Sequence, residues 1–175
     1  MLLSTTQKEQ MKRRTKYIKL SLGAEVLQQI IYTIKIRRAP VRHDSIDFRP
    51  LIIKISELVP LSVVTADKAY DSEDNHVLVR DILYVFSVIP PRYEHVPIRK
   101  THGKYRKQMK RGGYSKLLYN QRSKNETILS VIKRLFGEHI TSRLGKTQNR
   151  ELSFRCIAYN IHRLTNLFII FHRFY

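Results

Sequence analysis

The sequence is short of acidic residues, of cysteine and of long apolar runs. Only 14 of its 175 residues are Asp or Glu, against 33 Lys or Arg, which gives a formal net charge of +19. Self-repulsion on this scale favours a polyanionic partner, and nucleic acid is the leading candidate. The single cysteine, Cys156, excludes an internal disulfide and a cysteine-based metal site, and we expect it to be a small core residue.

No apolar run approaches the roughly 20 residues of a membrane-spanning helix, and the longest candidate is Leu167–Phe171. The first residues become polar and basic too soon for a secretory leader, so we expect an intracellular protein. Tryptophan is absent as well. The hydrophobic content of 42% nevertheless argues against global disorder, and the length suits one domain.

The apolar pattern predicts an α/β domain behind a basic leader over residues 1–15. Two alternating runs, at 16–24 and 28–36, predict an antiparallel hairpin that ends before Pro40. The elements expected next are a helix capped by Asp44 or Ser45 and regular from Pro50, a buried strand that ends towards Asp67, a helix over 72–83 and a strand over 84–91. A basic loop over 92–118 follows, and then a helix from about Asn120 to His139. The last expected element is a helix from about Arg150 to the end, with apolar residues at helical spacing: Phe154, Ile157, Ile161, Leu164 and Phe168.

The basic loop over 92–118 is expected to be mobile and to bind DNA. Between Arg99 and Lys116 it has eight basic residues and no acid, and tyrosines are interleaved with them. This mixture suits phosphate contacts and base stacking, and it predicts binding that weakens with salt. The cations expected to contact DNA here are Arg99, Lys100, Lys104, Arg106, Lys107, Lys110 and Arg111.

Glu126 is an isolated acid in basic surroundings. Helical spacing places it on one stripe with Tyr119, Arg122 and Lys133, opposite the apolar positions between residues 128 and 136. One interpretation is a solvated helix face on which Arg122 and Glu126 pair at i,i+4.

The same four residues also resemble the Tyr-Arg-Glu-Lys signature of bacterial and archaeal insertion-sequence transposases of the DDE class. A second segment, TADKAYDS at 65–72, resembles the block that holds the second catalytic aspartate of that family. That aspartate would be Asp67, with Ala69 where the family usually has glycine. A third segment, HDSIDFRPLI from His43, resembles the stretch before the first core helix, so the likeness covers nearly all of the chain from Lys16 onward.

The resemblance implies an RNase-H-like mixed sheet flanked by helices over residues 16–175, with two Mg²⁺ or Mn²⁺ ions held by three carboxylates. Asp67 and Glu126 would be catalytic and bind the metals, and we expect their carboxyl groups to lie about 4 to 8 Å apart. Tyr119, Arg122 and Lys133 would hold the DNA. The implied partner is double-stranded DNA, both transposon ends and target, and no membrane is implied. The implied location is the cytoplasm, in association with the nucleoid. The resemblance is also compatible with a homodimer.

Nearby acids have a simpler interpretation than metal binding. Asp71, Glu73 and Asp74 stand where a helix begins, so we expect them to serve as caps and as favourable charges at the helix start. The seven histidines show no spacing typical of metal ligands.

The first catalytic aspartate of that family has no counterpart in this sequence. Leu3-Ser4-Thr5 has leucine where the aspartate belongs, and Glu9 lies in a polar run without strand character. We therefore expect a domain that is truncated on its N-terminal side, lacks its first core strand, and binds DNA without cutting it at a useful rate. Two alternatives remain open: a non-catalytic DNA-binding remnant, and an RNase-H-like nuclease unrelated to transposition.

Overall fold

The computed structural model describes residues 17–38 and 45–173. The predicted leader lies outside these ranges, as do Leu3-Ser4-Thr5, Glu9, Pro40, His43 and Asp44. The strands are β1 Ile18–Ala24, β2 Ile31–Arg38, β3 Val63–Thr65 and β4 Phe86–Val88, and the helices are α1 Ser45–Ser56, α2 Glu73–Val77, α3 Lys104–Gly112, α4 Lys116–Asn120, α5 Ser123–Phe136 and α6 Gly145–Arg173.

The predicted hairpin is confirmed. β1 and β2 pair antiparallel, with Leu20 opposite Ile36 and Leu22 opposite Ile34. The alternation of these residues fixes the register, because a slip by one residue would turn the apolar set to the other face.

The described strands form two separate two-stranded sheets, not the one mixed sheet that was expected. β3 pairs with β4 in parallel, so that Val64 lies opposite Ser87, and β1 pairs only with β2. Within the described residues, β1 and β3 therefore each have a strand neighbour on one edge only. The mixed sheet would need a further strand that joins the two pairs.

The first core lies between α1 and the β3–β4 pair. Phe48, Ile52 and Ile55 of α1 pack there with Val64 and the buried segment that follows α2. The helix begins at Ser45 and contains Pro50. The expectation that regular helix would start only at Pro50 was therefore wrong, since the missing N–H removes a single backbone hydrogen bond.

A buried carboxylate joins α1 to the hairpin. Asp47, in the first turn of α1, is fully buried and accepts a hydrogen bond of 3.1 Å from the Ser21 hydroxyl of β1. It also forms an ion pair with Arg37 of β2. Because an unpaired buried charge is strongly unfavourable, these contacts hold the helix in place on the hairpin.

More than half of the segment 92–118 is helical, so the prediction of an irregular loop was wrong. It contains a 3₁₀ turn at Ile98–Lys100 and the helices α3 and α4. Tyr105 and Met109, four residues apart, are both buried. They form a narrow packing face on a helix whose other residues are mostly charged. Two apolar residues are too few for a clear periodic signal.

The last two helices form the second core with the hairpin. Ile128 and Ile132 of α5 pack with Cys156 and Tyr159 of α6 and with Ile31 of β2. The expected core role of Cys156 is confirmed. The helix expected from about Asn120 to His139 is confirmed as α5, Ser123–Phe136, and the preceding helix α4 ends at Asn120.

The long helix α6 packs through a face other than the one that its apolar spacing marks. Its buried residues include Leu152, Cys156 and Tyr159, which recur at intervals of four and three. The five residues marked by the sequence are instead exposed to solvent: Phe154, Ile157, Ile161, Leu164 and Phe168.

Candidate active site

Asp67 follows directly from the parallel strand pair. β3 ends at Thr65, Ala66 is buried and donates its backbone N–H to the Val88 carbonyl, and the extended backbone of Asp67 then precedes a 3₁₀ turn. The carboxylate is 44% exposed. The strand end therefore delivers an accessible acid, as the sequence predicted.

Glu126 lies in the first turn of α5 and meets Asp67 through Arg122. One guanidinium nitrogen of Arg122, Nη1, is 2.8 Å from Glu126 Oε1 and 3.4 Å from Asp67 Oδ2. The two carboxylate oxygens can therefore be no further apart than the sum of these distances, about 6 Å. The i,i+4 ion pair of Arg122 with Glu126 is present, and it extends to an acid 55 residues away from Arg122 in sequence.

Arg122 is the central cation of this cluster. Burial acts to lower its pKa, but Tyr119, Asp67 and Glu126 more than offset that effect, so its pKa is raised and it stays charged. Its guanidinium carbon lies 5.4 Å from the centre of the Tyr119 ring. Tyr119 in turn contacts Tyr114 edge to face, with ring centres 5.3 Å apart. The cation is thus held by two acids and one aromatic face.

The two carboxylates fit part of a divalent-metal site. Carboxylate oxygens are the hard ligands that Mg²⁺ and Mn²⁺ prefer, and both acids are accessible. Among the residues that the structure describes, no group of three or more His, Cys, Asp or Glu side chains could hold a metal ion. Asp67 and Glu126 can supply two ligands, and Arg122 pairs with both and offsets half of their combined negative charge.

The acids next to Asp67 are engaged in contacts with α3. Asp71, almost fully buried, accepts two hydrogen bonds from the Arg106 guanidinium, at 2.8 and 2.9 Å, and a third from the backbone N–H of Arg92. Glu73 accepts from the backbone N–H groups of Tyr105 and Arg106 in the first turn of α3. These bonds satisfy helix-start donors that otherwise have no partner within the helix.

Gly103 makes the close approach of Glu73 possible. Its φ is +96°, and a Cβ at this position would overlap the Glu73 carboxylate. This anchor of α3 was not predicted, and its local signal in the sequence is the glycine before Lys104. The partner, Glu73, was expected to serve only the helix that it begins.

The basic residues of 99–111 fall into two groups. Arg106 binds Asp71, and the Lys110 ammonium donates to the Tyr93 and Val96 carbonyls at 2.6 Å each. Both have structural contacts. The remaining cations are exposed or half-buried on the surface: Arg99, Lys100, Lys104, Lys107 and Arg111.

Lys133 is not part of the carboxylate cluster. It lies seven residues beyond Glu126, or about two helical turns, and its ammonium is 2.8 Å from Glu138 Oε1. The predicted stripe therefore divides: Tyr119 lies in α4, Arg122 and Glu126 lie at the start of α5, and Lys133 lies in its last turn.

A cavity of about 970 Å³ extends from the carboxylate cluster to the hairpin. Asp67, Arg122 and Glu126 line it, together with residues 19–24 of β1 and all three residues of β3. Both strands and both acids therefore border one space.

Comparison with known proteins identifies one relationship. The family model described as "Transposase DDE domain" matches residues 3–161, which is most of the chain. No curated protein and no solved structure matches the chain significantly. In the part of the chain that the structure describes, no helix has the length and apolarity needed to cross a membrane.

Proposed function

Because the chain belongs to the transposase DDE domain family, we propose that it is a DNA transposase with an RNase-H-like catalytic domain over residues 16–175, whose Asp67 and Glu126 bind Mg²⁺ or Mn²⁺. Its substrates are double-stranded transposon ends and target DNA, and it acts in the cytoplasm, at the nucleoid. The metal, when bound, activates water or a 3′-hydroxyl and stabilises the leaving oxygen.

The observation that carries the proposal is the convergence of Asp67 and Glu126 on Arg122. The two acids are far apart in sequence, come from a strand end and a helix start, and still share one guanidinium nitrogen. A purely solvated helix face would leave the Arg122–Glu126 pair without a contact to an acid from elsewhere in the chain, whereas Arg122 also contacts Asp67. Two exposed carboxylates that share one cation are a suitable precursor of a metal site.

The chain's own residues have separable tasks in this proposal. Asp67 and Glu126 hold the metal, and Arg122, released from them, binds a phosphate of the DNA backbone with Tyr119 against the terminal nucleotides. The exposed cations of 99–111 provide further phosphate contacts. We assign Arg106 and Lys110 to the support of α3 and not to DNA, because both are bonded within the protein.

Metal binding can be tested without catalysis. Titration with Mn²⁺, followed by electron paramagnetic resonance, is expected to show a bound ion that is lost in Asp67→Asn and in Glu126→Gln. Glu94→Gln removes an equally negative, exposed side chain elsewhere and serves as the control. Equal Mn²⁺ binding by all four proteins would contradict the assignment, and DNA binding without Mn²⁺ binding would favour the non-catalytic remnant.

DNA binding can be tested through its salt dependence. Arg99, Lys100 and Lys104 replaced together by Gln should lower the slope of log affinity against log salt by about 2 to 3, at about 0.9 per phosphate contact. The matched control removes three exposed cations at the start of α6, namely Arg143, Lys146 and Arg150. An equal loss in both triple variants would show that only net charge matters.

Catalysis by the chain alone is expected to be weak, because two-metal chemistry uses a third carboxylate that the described residues do not supply. The assay is Mn²⁺-dependent nicking and strand transfer on a duplex that carries the repeats flanking the gene. A version extended upstream by a strand with an aspartate should be at least about 1,000-fold more active, and Asp67→Asn in that version should abolish the gain. Equal activity with and without the extension would show that the third carboxylate lies elsewhere.

A further inference from the structure

The exposed apolar stripe of α6 has the spacing of a coiled-coil seam. Its members are separated by three, four, three and four residues, which are the a and d positions of a heptad. Each is more than half exposed, although it is a large apolar side chain: Phe154, Ile157, Ile161, Leu164 and Phe168. We call these five residues the α6 seam.

The α6 seam is distinct from the face that holds α6 to the domain. Leu152, Cys156 and Tyr159 are buried, and at 100° per residue their side lies roughly 150° around the helix from the seam. The side chain of Asn160 exchanges two hydrogen bonds with the backbone of Ile31, at 3.0 and 2.8 Å, which fixes the rotation of the helix. The seam therefore cannot turn inward without breaking these contacts.

The residues that flank the seam are uncharged. Ala158 and Thr165 lie on one side and Ser153 and Asn160 on the other, at the positions that carry charged pairs in many coiled coils. In a chain with a net charge of +19, this neutral strip is a surface where two copies can approach without bringing cations together. From residue 153 to residue 168 the strip has no cation, which makes it unsuitable for DNA, and Arg150 lies on the same side of the helix one turn before Phe154.

The α6 seam is large enough for a stable contact between copies. From the exposed fractions of its side chains, it offers on the order of 500 Å² of apolar surface per copy, and the small flanking residues add to this when two helices meet. The sum over two copies reaches the about 1,000 Å² that a specific interface needs. A helix stripe paired with its own copy forms a closed twofold contact.

We propose that the α6 seam is a dimerisation surface and that its occupant is the α6 seam of a second copy of this chain. The homodimer is formed by helix-to-helix packing in the manner of a coiled coil, with Ile161, the middle member, next to its own copy on the twofold axis. This proposal is independent of metal binding and of catalysis.

The first test measures mass in solution by light scattering and sedimentation, over a concentration series and in about 0.3 M salt to screen repulsion. The expected result is a species of twice 20.8 kDa. Ile157→Glu with Leu164→Glu should weaken dimerisation at least about 100-fold, since two buried charges would face each other across the seam. The control, Leu27→Glu with Leu58→Glu, changes two exposed leucines outside the seam and should dimerise normally.

The second test is a disulfide at the axis. Ile161→Cys should cross-link two copies on mild oxidation, whereas Leu58→Cys should not. The native thiol does not interfere, because Cys156 is buried and burial raises its pKa to about 11. A monomer at all concentrations would overturn the proposal. So would a dimer that survives the double seam variant and resists cross-linking at Ile161. Monomers that bind anionic vesicles through the seam would overturn it in favour of a lipid surface.

Discussion

Acidification is predicted to destabilise the domain through His76, which lies beneath α3. The side chain is fully buried, and its Nδ1 is 2.8 Å from the Ser87 hydroxyl of β4. That hydroxyl also accepts a hydrogen bond of 2.7 Å from Arg80 Nε, so its own proton is free for His76. Within the described residues, Nε2 has no hydrogen-bond partner. A neutral imidazole, whose Nδ1 accepts the Ser87 proton, fits this environment. A proton on Nδ1 as well would make the ring positively charged and would remove this hydrogen bond.

The magnitude follows from the pKa of His76. Burial and then Arg80 lower this pKa from 6.5 to about 4, against smaller opposing effects of Asp71 and Glu73. Since the folded state disfavours the protonated form, the stabilisation is complete above pH 6.5 and is lost as the pH falls towards about 4. Of about 3 kcal/mol in total, about 2 kcal/mol should disappear between about pH 7 and pH 5.

The assay is urea unfolding at several pH values from about 7 to 5, a range chosen because ordinary carboxylates titrate mainly below it. The free energy of unfolding should fall by about 2 kcal/mol in the native sequence and stay nearly level in His76→Gln. A ¹³C-labelled histidine spectrum gives a check that does not depend on the variant folding. An imidazole of His76 that titrates near 6.5 in the folded protein, or an equal slope in both sequences, would refute the reasoning.

Three further outcomes are expected. Asp71→Asn should lower the free energy of unfolding by about 3 kcal/mol, because it leaves the Arg106 guanidinium without its anion, whereas the exposed control Asp74→Asn should change it little in the same urea assay. Ile128→Ala should cost about 3 kcal/mol through a cavity in the second core, and a loss below about 1 kcal/mol would mean that α5 packs differently. Cys156 should react with a thiol reagent at about pH 8 far more slowly in the folded protein than in urea, as its raised pKa and burial require; equal rates would contradict its placement.

The elements that could be predicted from the sequence are those with strong local signals. The hairpin has clear alternation, and Asp67 follows a short β-branched run that ends in polar residues. The i,i+4 pair of Arg122 and Glu126 needed only helical spacing. The approach of Asp67 to Glu126 was expected only from the family resemblance, because no local rule joins a strand end to a helix start about 60 residues later. The contact of Arg122 with Asp67 was not predicted.

The helix α3 could not be predicted because its stability is not local. Its sequence is dominated by charge, and its two packing residues, Tyr105 and Met109, give a weak periodic signal. The groups that hold it, Glu73 at its first turn and Asp71 on Arg106, come from a segment about 30 residues earlier. Propensity and periodicity do not register such contacts.

The helix α6 shows a different limit. It is apolar on two sides, and the more regular side is the one that the domain leaves exposed. Periodicity identifies a stripe that will be covered, but it does not say whether the same chain covers it. The side with Cys156 and Tyr159 is less regular and is the one that packs.

Within the described residues, β1 and β3 each have a strand neighbour on one edge only, and this gives the large positive charge a second consequence. A strand edge without a strand neighbour is a template for pairing with another molecule, and these two strands line the same cavity. Mutual repulsion between copies that each carry a net charge of +19 opposes such contacts, so colloidal stability depends on charge as much as on shape. High salt weakens this repulsion, and it also weakens the DNA binding that we propose. The free protein should therefore aggregate most readily at the salt concentrations where the proposed DNA complex is least stable.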